Sequence, residues 1–256
     1  MQLFDTHAHY NDEKFEKDRE NLIKEIYDSG ITKIINAGYS LESSKIALEI
    51  ANNYEFMHVI VGVSPNDIEN LVQDYLEQLK EMANNKKVVA IGEIGLDYYW
   101  NKENKDIQKE IFIKQIELAN ELNLPIVIHT REAIYDTLDI LKHNVECINK
   151  GVFHCCPLNI DLAREAVKLG FYISFAGPIT FKNSKNDEEV IKLVPIDRIL
   201  IETDSPYLSP EPLRGKRNDS RNIKYIAQKI ADVKGLTLEE VAEITYNNAK
   251  RIFRIQ

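Results

Sequence analysis

Five segments of the chain each carry a side chain that can bind a metal ion, and each of these side chains follows a short apolar run. The side chains are imidazoles and carboxylates, which suit zinc, manganese or iron and, less well, magnesium. The segments are Phe4-Asp5-Thr6-His7-Ala8-His9, Ile91-Gly92-Glu93, Ile126-Val127-Ile128-His129, Val152-Phe153-His154 and Leu200-Ile201-Glu202-Thr203-Asp204. In a closed parallel barrel the carboxyl ends of the strands meet on one face, so such distant residues would share one site. The pattern is typical of a metal-dependent hydrolase.

The elements that must position these residues can be predicted from the alternation of short β-rich runs with longer amphipathic stretches. A helix is predicted over 106–122, and two more near 220–234 and 237–253 follow a polar loop at 205–219. We expect one domain over 1–256, a (β/α)8 barrel of the TIM type with extra C-terminal helices, although a doubly wound open sheet fits the same pattern. The eight predicted strands are 2–6, 31–36, 56–62, 88–92, 125–129, 150–154, 171–175 and 198–203.

The composition is that of an ordinary globular protein, with 44% hydrophobic and 29% charged residues. A net charge of −9 argues against a broad nucleic-acid-coating surface but leaves room for a nucleic-acid substrate at one locally positive site. The three cysteines, Cys147, Cys155 and Cys156, suggest no disulfide framework. With neither a secretion signal nor a membrane-spanning run in the sequence, we expect a cytoplasmic protein with no membrane association and no obligate protein partner.

The candidate ligands differ in how strongly each one, taken alone, indicates a metal site. His7 and His9 lie two apart in an extended segment, which places both rings on one face. Glu93 stands beside Gly92 and near Gly95, which allow close approach of backbone or ligand, and a carboxylate there can bridge two cations. A solvated loop glutamate is the alternative for Glu93.

The remaining histidines and acidic residues also allow two interpretations. His129 and His154 taken singly would be core histidines, but together with the other candidates they complete a second set of nitrogen ligands. Glu202 shares the strand parity of Asp204, so it would either support the site from behind or touch a ligand directly. We interpret His58 and His143 as structural or surface residues.

Several blocks of the sequence resemble the TatD family of metal-dependent deoxyribonucleases over about residues 2–253. They are Asp5-Thr6-His7-Ala8-His9, Gly92-Glu93-Ile94-Gly95-Leu96-Asp97-Tyr98-Tyr99, His129-Thr130-Arg131-Glu132-Ala133 and Glu202-Thr203-Asp204-Ser205-Pro206-Tyr207-Leu208. The resemblance implies two divalent cations: one held by His7, His9 and Asp204, the other by His129 and His154, with Glu93 shared. It also implies hydrolysis of phosphodiester bonds in DNA, often single-stranded and from a 3′ end, and extending to RNA. Asp204 would handle the proton as water attacks, so Asp204 and Glu93 are the expected catalytic residues.

A phosphate substrate requires cationic residues beyond the metals. Arg131 lies two residues past His129 and is predicted to face the same pocket. The segment 212–218 is a candidate phosphate-binding loop through Arg214, Lys216 and Arg217, with a solvated loop as the alternative. The aromatic residues near the ligand segments are candidates for base stacking or for simple packing, namely Tyr98, Tyr99, Trp100 and Tyr207.

Three positions depart from the family pattern. Ser64, in Gly62-Val63-Ser64-Pro65-Asn66, stands where a histidine is usual, so a substrate contact there would be weaker or altered. The block 154–158 reads His-Cys-Cys-Pro-Leu and 218–220 reads Asn-Asp-Ser, but neither change removes a predicted ligand. Two alternatives to a nuclease remain: an ester or amide hydrolase, such as an aminoacyl-tRNA deacylase, and a non-catalytic nucleic-acid-binding protein.

Overall fold

The structure, a computed structural model, describes residues 1–69 and 71–256, and within them eight strands alternate with helices. The strands are β1 Leu3–Ala8, β2 Ile31–Ala37, β3 Met57–Val61, β4 Val88–Asp97, β5 Ile126–Arg131, β6 Gly151–Phe153, β7 Tyr172–Phe175 and β8 Ile199–Ile201. The helices are α1 Arg19–Asp28, α2 Leu41–Ala51, α3 Tyr75–Ala83, α4 Lys105–Glu121, α5 Ile134–Asp139, α6 Ile160–Lys168, α7 Asp187–Leu193, α8 Ile223–Lys234 and α9 Leu238–Phe253.

The strands form one parallel sheet in the order β1 to β8, and the sheet closes on itself. Ala8 pairs with Ser205 beyond β8, and the His9 amide donates to the Ser205 carbonyl at 2.7 Å. The Asp204 amide likewise donates to the His7 carbonyl at 2.9 Å. The predicted (β/α)8 barrel of the TIM type is confirmed, and the open-sheet alternative is wrong.

Alternating side chains of the strands build two apolar layers. Ile60 of β3 belongs to a cluster inside the barrel, whereas its neighbours Val59 and Val61 belong to the larger cluster between strands and helices. Ala249 and Phe253 of α9 pack against the inner cluster, so the last helix covers the end of the barrel at which the strands begin. The opposite end carries the predicted ligands.

Strand β4 is longer than the sequence indicates. The apolar run predicts an end at residue 92, but the strand continues to Asp97, and all ten residues are buried. Its pairing with β5 shifts between Ile91 and Ile94, where β4 holds one residue more than its neighbour. This bulge redirects the strand at Glu93, which therefore lies inside β4 and not after it.

The helix predictions hold to within a few residues. Helix α4 covers 105–121 against a predicted 106–122, and its first turn leaves Ile107 50% exposed. A short 3-10 turn over Ser220–Asn222 precedes α8, and α9 begins at Leu238. Among the described residues, every helix is too short or too polar to cross a membrane.

Candidate metal centre

All six predicted ligands meet at the end of the barrel where the strands finish. His7 lies in β1, Glu93 in β4 and His129 in β5. His9 and His154 follow directly after β1 and β6, and Asp204 lies three residues beyond the end of β8. Their side chains are buried or nearly so, and none of the six is more than about a fifth exposed. The rings of His7 and His154 stack with centroids 4.1 Å apart, so the two halves of the site are in contact. The six residues are His7, His9, Glu93, His129, His154 and Asp204.

One half of the site is built by His7, His9 and Asp204. The Nε2 atoms of the two histidines lie 3.2 Å apart, and His9 Nε2 lies 3.2 Å from Asp204 Oδ1. His7 Nε2 is 3.9 Å from the same Asp204 oxygen and 3.5 Å from Glu93 Oε2. Two imidazoles and a carboxylate therefore face a common point, with a second carboxylate oxygen beside it.

The other half of the site is built by His129 and His154 around the remaining oxygen of Glu93. His129 Nδ1 lies 2.9 Å and His154 Nε2 lies 3.2 Å from Glu93 Oε1, and the two nitrogens are 3.3 Å apart. Oε1 of Glu93 thus faces these two histidines, while Oε2 faces His7 of the first half. This is the arrangement of a carboxylate that can bridge two cations.

The protonation of these rings tests whether the residues suit a metal. His9 Nδ1 lies 3.0 Å from the Ala37 carbonyl, His129 Nε2 lies 2.9 Å from Asp97 Oδ2, and His154 Nδ1 lies 3.3 Å from Glu202 Oε1. The carbonyl and the two carboxylates can only accept a hydrogen bond, so each favours a proton on the ring nitrogen that it faces. The other nitrogen of the neutral ring, which points into the site, then presents a lone pair. Converging lone pairs and carboxylate oxygens fit a divalent cation, so the donor set suits metal binding.

The electrostatics of the site keep its carboxylates ionised. Burial raises the pKa of Glu93, but His154, His129 and His7 outweigh it and hold the pKa well below its ordinary value. Burial also raises the pKa of Asp204, and the bond from His9 more than offsets this, so the pKa is lowered. Both groups are therefore anionic at neutral pH, as ligands for a cation must be.

Asp97, which is absent from the residues predicted from the sequence, lies against the site and contacts His129. One carboxylate oxygen, Oδ2, accepts from His129 and from Asn66 (3.2 Å), while Oδ1 accepts from the backbone amides of Tyr99 (2.9 Å) and Trp100 (3.1 Å). Burial raises the pKa of Asp97, and these hydrogen bonds outweigh it, so the pKa falls to about 2. The available signal was its strand parity with Glu93, which is visible only once β4 is known to extend to residue 97.

Glu202 lies behind the site. Its side chain is fully buried, and Oε1 accepts from the Cys155 amide at 2.6 Å in addition to facing His154. Of the two roles expected from the sequence, the structure favours support of a ligand over contact with substrate. Ser64 is also buried, and it lies in the turn after β3, where its Oγ is 3.4 Å from the Asn66 amide nitrogen.

The predicted cationic residues lie in different surroundings. Arg131 ends β5 and stacks on Tyr99, with its guanidinium carbon 3.8 Å from the ring centroid. Arg214 stacks on Phe181 at 4.1 Å, and Lys216 is exposed in the same loop. Arg217 forms a two-pronged ion pair with Asp18 near the start of α1, so its guanidinium is engaged by the protein itself.

The two histidines outside the site agree with their interpretation as structural or surface residues. His58 lies in β3 beside Lys33 and Lys87, and His143 is exposed and contacts Asp139 at 3.1 Å. The three cysteines are free thiols.

Comparison with known proteins agrees with this geometry. The model of the TatD-related DNase family matches residues 4–254. The chain is 47% identical over 99% of both sequences to YabD of Bacillus subtilis and 38% identical, over 100% of this chain and 97% of the other, to YcfH of Escherichia coli; both are named uncharacterized metal-dependent hydrolases.

Solved structures support the same assignment. The chain superposes on the TatD homologue YjjV of Escherichia coli with a TM-score of 0.93, 27% identity and coverage of 99% of this chain and 98% of the other. A TatD family hydrolase from Entamoeba histolytica gives a TM-score of 0.88 at 26% identity, covering 100% and 99% of the two chains. The chain therefore belongs to the TatD family and is a metal-dependent hydrolase.

Proposed function

We propose that this hydrolase uses two divalent cations to cleave phosphodiester bonds of DNA. The observation that carries the proposal is Glu93, whose Oε1 faces His129 and His154 while its Oε2 faces His7 in the other half of the site. His7, His9 and Asp204 would hold one cation, His129 and His154 the other, and Glu93 both. Two such cations supply Lewis-acid stabilisation of charge on a phosphate and lower the pKa of a bound water.

Asp204 is the residue best placed to move a proton. Its lowered pKa keeps the carboxylate ionised at neutral pH, so it can accept a proton from an attacking water. Its side chain is 15% exposed, against 0% for His7, so it borders the open side of the site. Its backbone has a φ of 55°, in the left-handed region, which turns the chain sharply at the end of β8.

A phosphate-bearing substrate is supported by the surroundings of the site. Arg131, Arg214 and Lys216 are cationic side chains on loops or strand ends at the same end of the barrel, in a chain whose net charge is −9. The matched family is described as DNases, which favours DNA over other phosphodiesters. We propose single-stranded DNA as the substrate, with Arg131 and the loop at 212–218 binding phosphates.

Metal content and cleavage should be measured on the same preparation. We expect two equivalents of metal per chain and cleavage of 3′- and 5′-labelled single-stranded oligonucleotides with magnesium, manganese or zinc. Glu93→Gln and His129→Ala should lose metal and reduce cleavage at least about 100-fold, since each removes a group from the shared centre. His143→Ala, which changes an exposed histidine outside the site, serves as the matched control.

The alternatives give different results in this experiment. Cleavage that persists in Glu93→Gln and His129→Ala would show that the site lies elsewhere. One equivalent of metal in a fully active enzyme would contradict the two-cation mechanism. If the enzyme hydrolyses carboxylic esters or aminoacyl-tRNA but leaves the oligonucleotides intact with every metal, the nuclease proposal is wrong and the ester-hydrolase alternative is supported.

A further inference from the structure

Two exposed aromatic side chains stand directly after β4, beside the metal centre. Tyr99 is 44% exposed and Trp100, the only tryptophan of the chain, is 69% exposed. The preceding Tyr98 differs, because it is 7% exposed and its hydroxyl donates to Asp136 at 2.6 Å. The structure thus separates one packing residue from two aromatic side chains that face solvent, where burying a large apolar surface against a ligand would be favourable.

Arg131 completes this surface. Its guanidinium carbon lies 3.8 Å from the centroid of Tyr99 and 5.5 Å from that of Trp100, and the two rings meet edge to face with centroids 4.7 Å apart. Within residues 1–69 and 71–256, no carboxylate lies within ion-pair distance of the Arg131 side chain. Stacking holds the guanidinium by its face and leaves its edge N–H groups free to bind an anion.

Asp97 ties this surface to the metal centre. The same carboxylate accepts from His129 through one oxygen and from the amides of Tyr99 and Trp100 through the other. Arg131 is the strand neighbour of Asp97 and follows His129 by two residues in β5. The aromatic surface is therefore held by a single side chain that also orients one metal ligand, which places it next to the reacting phosphate of a bound strand.

The chemistry of the surface matches one component of a nucleic acid. Planar aromatic rings stack on nucleobases of any sequence, and a guanidinium edge binds the phosphate of the same nucleotide. Both faces of a base inside a duplex are covered by neighbouring base pairs, so such a base must leave the stack before it can occupy this surface. A bound carboxylate alone would use Arg131 but would gain nothing from Trp100.

We infer that Tyr99, Trp100 and Arg131 form a stacking platform for an unpaired nucleobase and its phosphate, adjacent to the scissile bond. The inference rests on the proposed nuclease function and deepens it, since the platform selects single-stranded over double-stranded substrate. Trp100 and Tyr99 bind the base, and Arg131 binds the phosphate. Tyr98 takes no part in binding.

Because the chain has a single tryptophan, its fluorescence can report oligonucleotide binding independently of cleavage. The purified holoenzyme is titrated with a single-stranded phosphorothioate oligonucleotide while Trp100 fluorescence is followed, and a dye-labelled copy reports affinity of the variants by anisotropy. We expect quenching of Trp100 by the oligonucleotide and none by an abasic strand of equal length and charge. Trp100→Ala should weaken binding about 5- to 150-fold, and Trp100→Phe should retain most of it.

The base and phosphate contributions separate through two further variants. Arg131→Ala should weaken binding of both the normal and the abasic strand, whereas Trp100→Ala should weaken only the normal one. Tyr27→Ala is the matched control, because Tyr27 is 48% exposed in α1 near the opposite end of the barrel. Its affinity should equal that of the wild type.

The outcomes distinguish the platform from the nuclease proposal. Equal affinity of wild type and Trp100→Ala for the strand, with no quenching in the wild type, overturns the platform even if the enzyme cleaves DNA. Quenching and weakened binding without cleavage under any metal uphold the platform and overturn the nuclease proposal. A duplex that binds as tightly as the single strand, and is equally weakened by Trp100→Ala, overturns the selection for unpaired bases.

Discussion

At the scale of single residues, the site depends on the hydrogen-bond acceptors that orient three of its four histidines, namely His9, His129 and His154. Ala37, Asp97 and Glu202 each offer only an oxygen acceptor to one ring nitrogen, so the other nitrogen of each ring faces the proposed metal positions. The three acceptors are not equivalent. The Ala37 carbonyl is neutral, whereas the two carboxylates are negatively charged and make the imidazoles that they orient more basic, and so better metal ligands.

Asp97→Asn should lower the affinity of the His129 half of the site for metal by about 10- to 100-fold. An asparagine oxygen can still accept from the Tyr99 and Trp100 amides, but its NH2 group then faces the N–H of His129, and two donors repel. The His129 ring avoids this by adopting the other tautomer, which places the proton on the nitrogen that faces the metal position. Metal retained after dialysis against graded chelator concentrations measures the effect. Asp161→Asn, whose side chain is 83% exposed, is the control; identical retention in all three proteins would contradict the role of Asp97.

At the scale of elements, β4 is the strand that creates the site. Its bulge turns Glu93 into the barrel mouth, and the added residues carry Asp97 to the level of His129 and Arg131. Glycine makes this possible where β4 approaches β5. A Cβ on Gly95 would lie 2.0 Å from the His129 carbonyl oxygen, and the residue has a φ of 142°. The close approach expected from the sequence is thus an approach of backbone to backbone.

Gly95→Ala should destabilise the fold by at least about 3 kcal/mol, or prevent accumulation of soluble protein, because both the backbone angle and the carbonyl contact are violated. Gly235→Ala separates these causes. Gly235 also has a positive φ, 68°, but nothing lies within 4 Å of an added Cβ, so the change should cost only about 1 kcal/mol. Urea unfolding measures both; equal losses would show that crowding at β5 is unimportant.

At the scale of the whole molecule, one end of the barrel carries the candidate site and the other end stabilises the fold. The mouth gathers the candidate ligands from five strands, while the end covered by α9 contributes stability. His58 belongs to the second end. Both of its ring nitrogens are buried without a hydrogen-bond partner among the described residues, and burial, followed by Lys33 and Lys87, lowers its pKa to about 4.

This lowered pKa predicts acid sensitivity of the fold. Above pH 6.5 the ring is neutral in both states, so it adds no pH dependence; between about 6.5 and 4 only the unfolded chain binds the proton, and the free energy of unfolding falls as pH falls. His58→Gln should remove about 1 to 3 kcal/mol of that decline. Urea unfolding of chelator-treated proteins at pH 7.5 and pH 5 provides the measurement, with His143→Gln as control. A decline of the same size in the wild type and His58→Gln would exclude His58 as its source.

The sequence by itself predicted the eight strands and the six candidate ligands, because apolar periodicity and the chemistry of histidine and carboxylate side chains are local properties. It left the barrel and the open sheet as alternatives, and the pairing of Ala8 with Ser205 decided between them. The bulge in β4, the role of Asp97, the engagement of Arg217 by Asp18 and the contrast between buried Tyr98 and exposed Trp100 were decided only by the tertiary structure. Each of these depends on a backbone irregularity or on a partner remote in the chain. The pairing of ligands around the two oxygens of Glu93 is of the same kind, since it requires β1, β4, β5, β6 and β8 to be in place together.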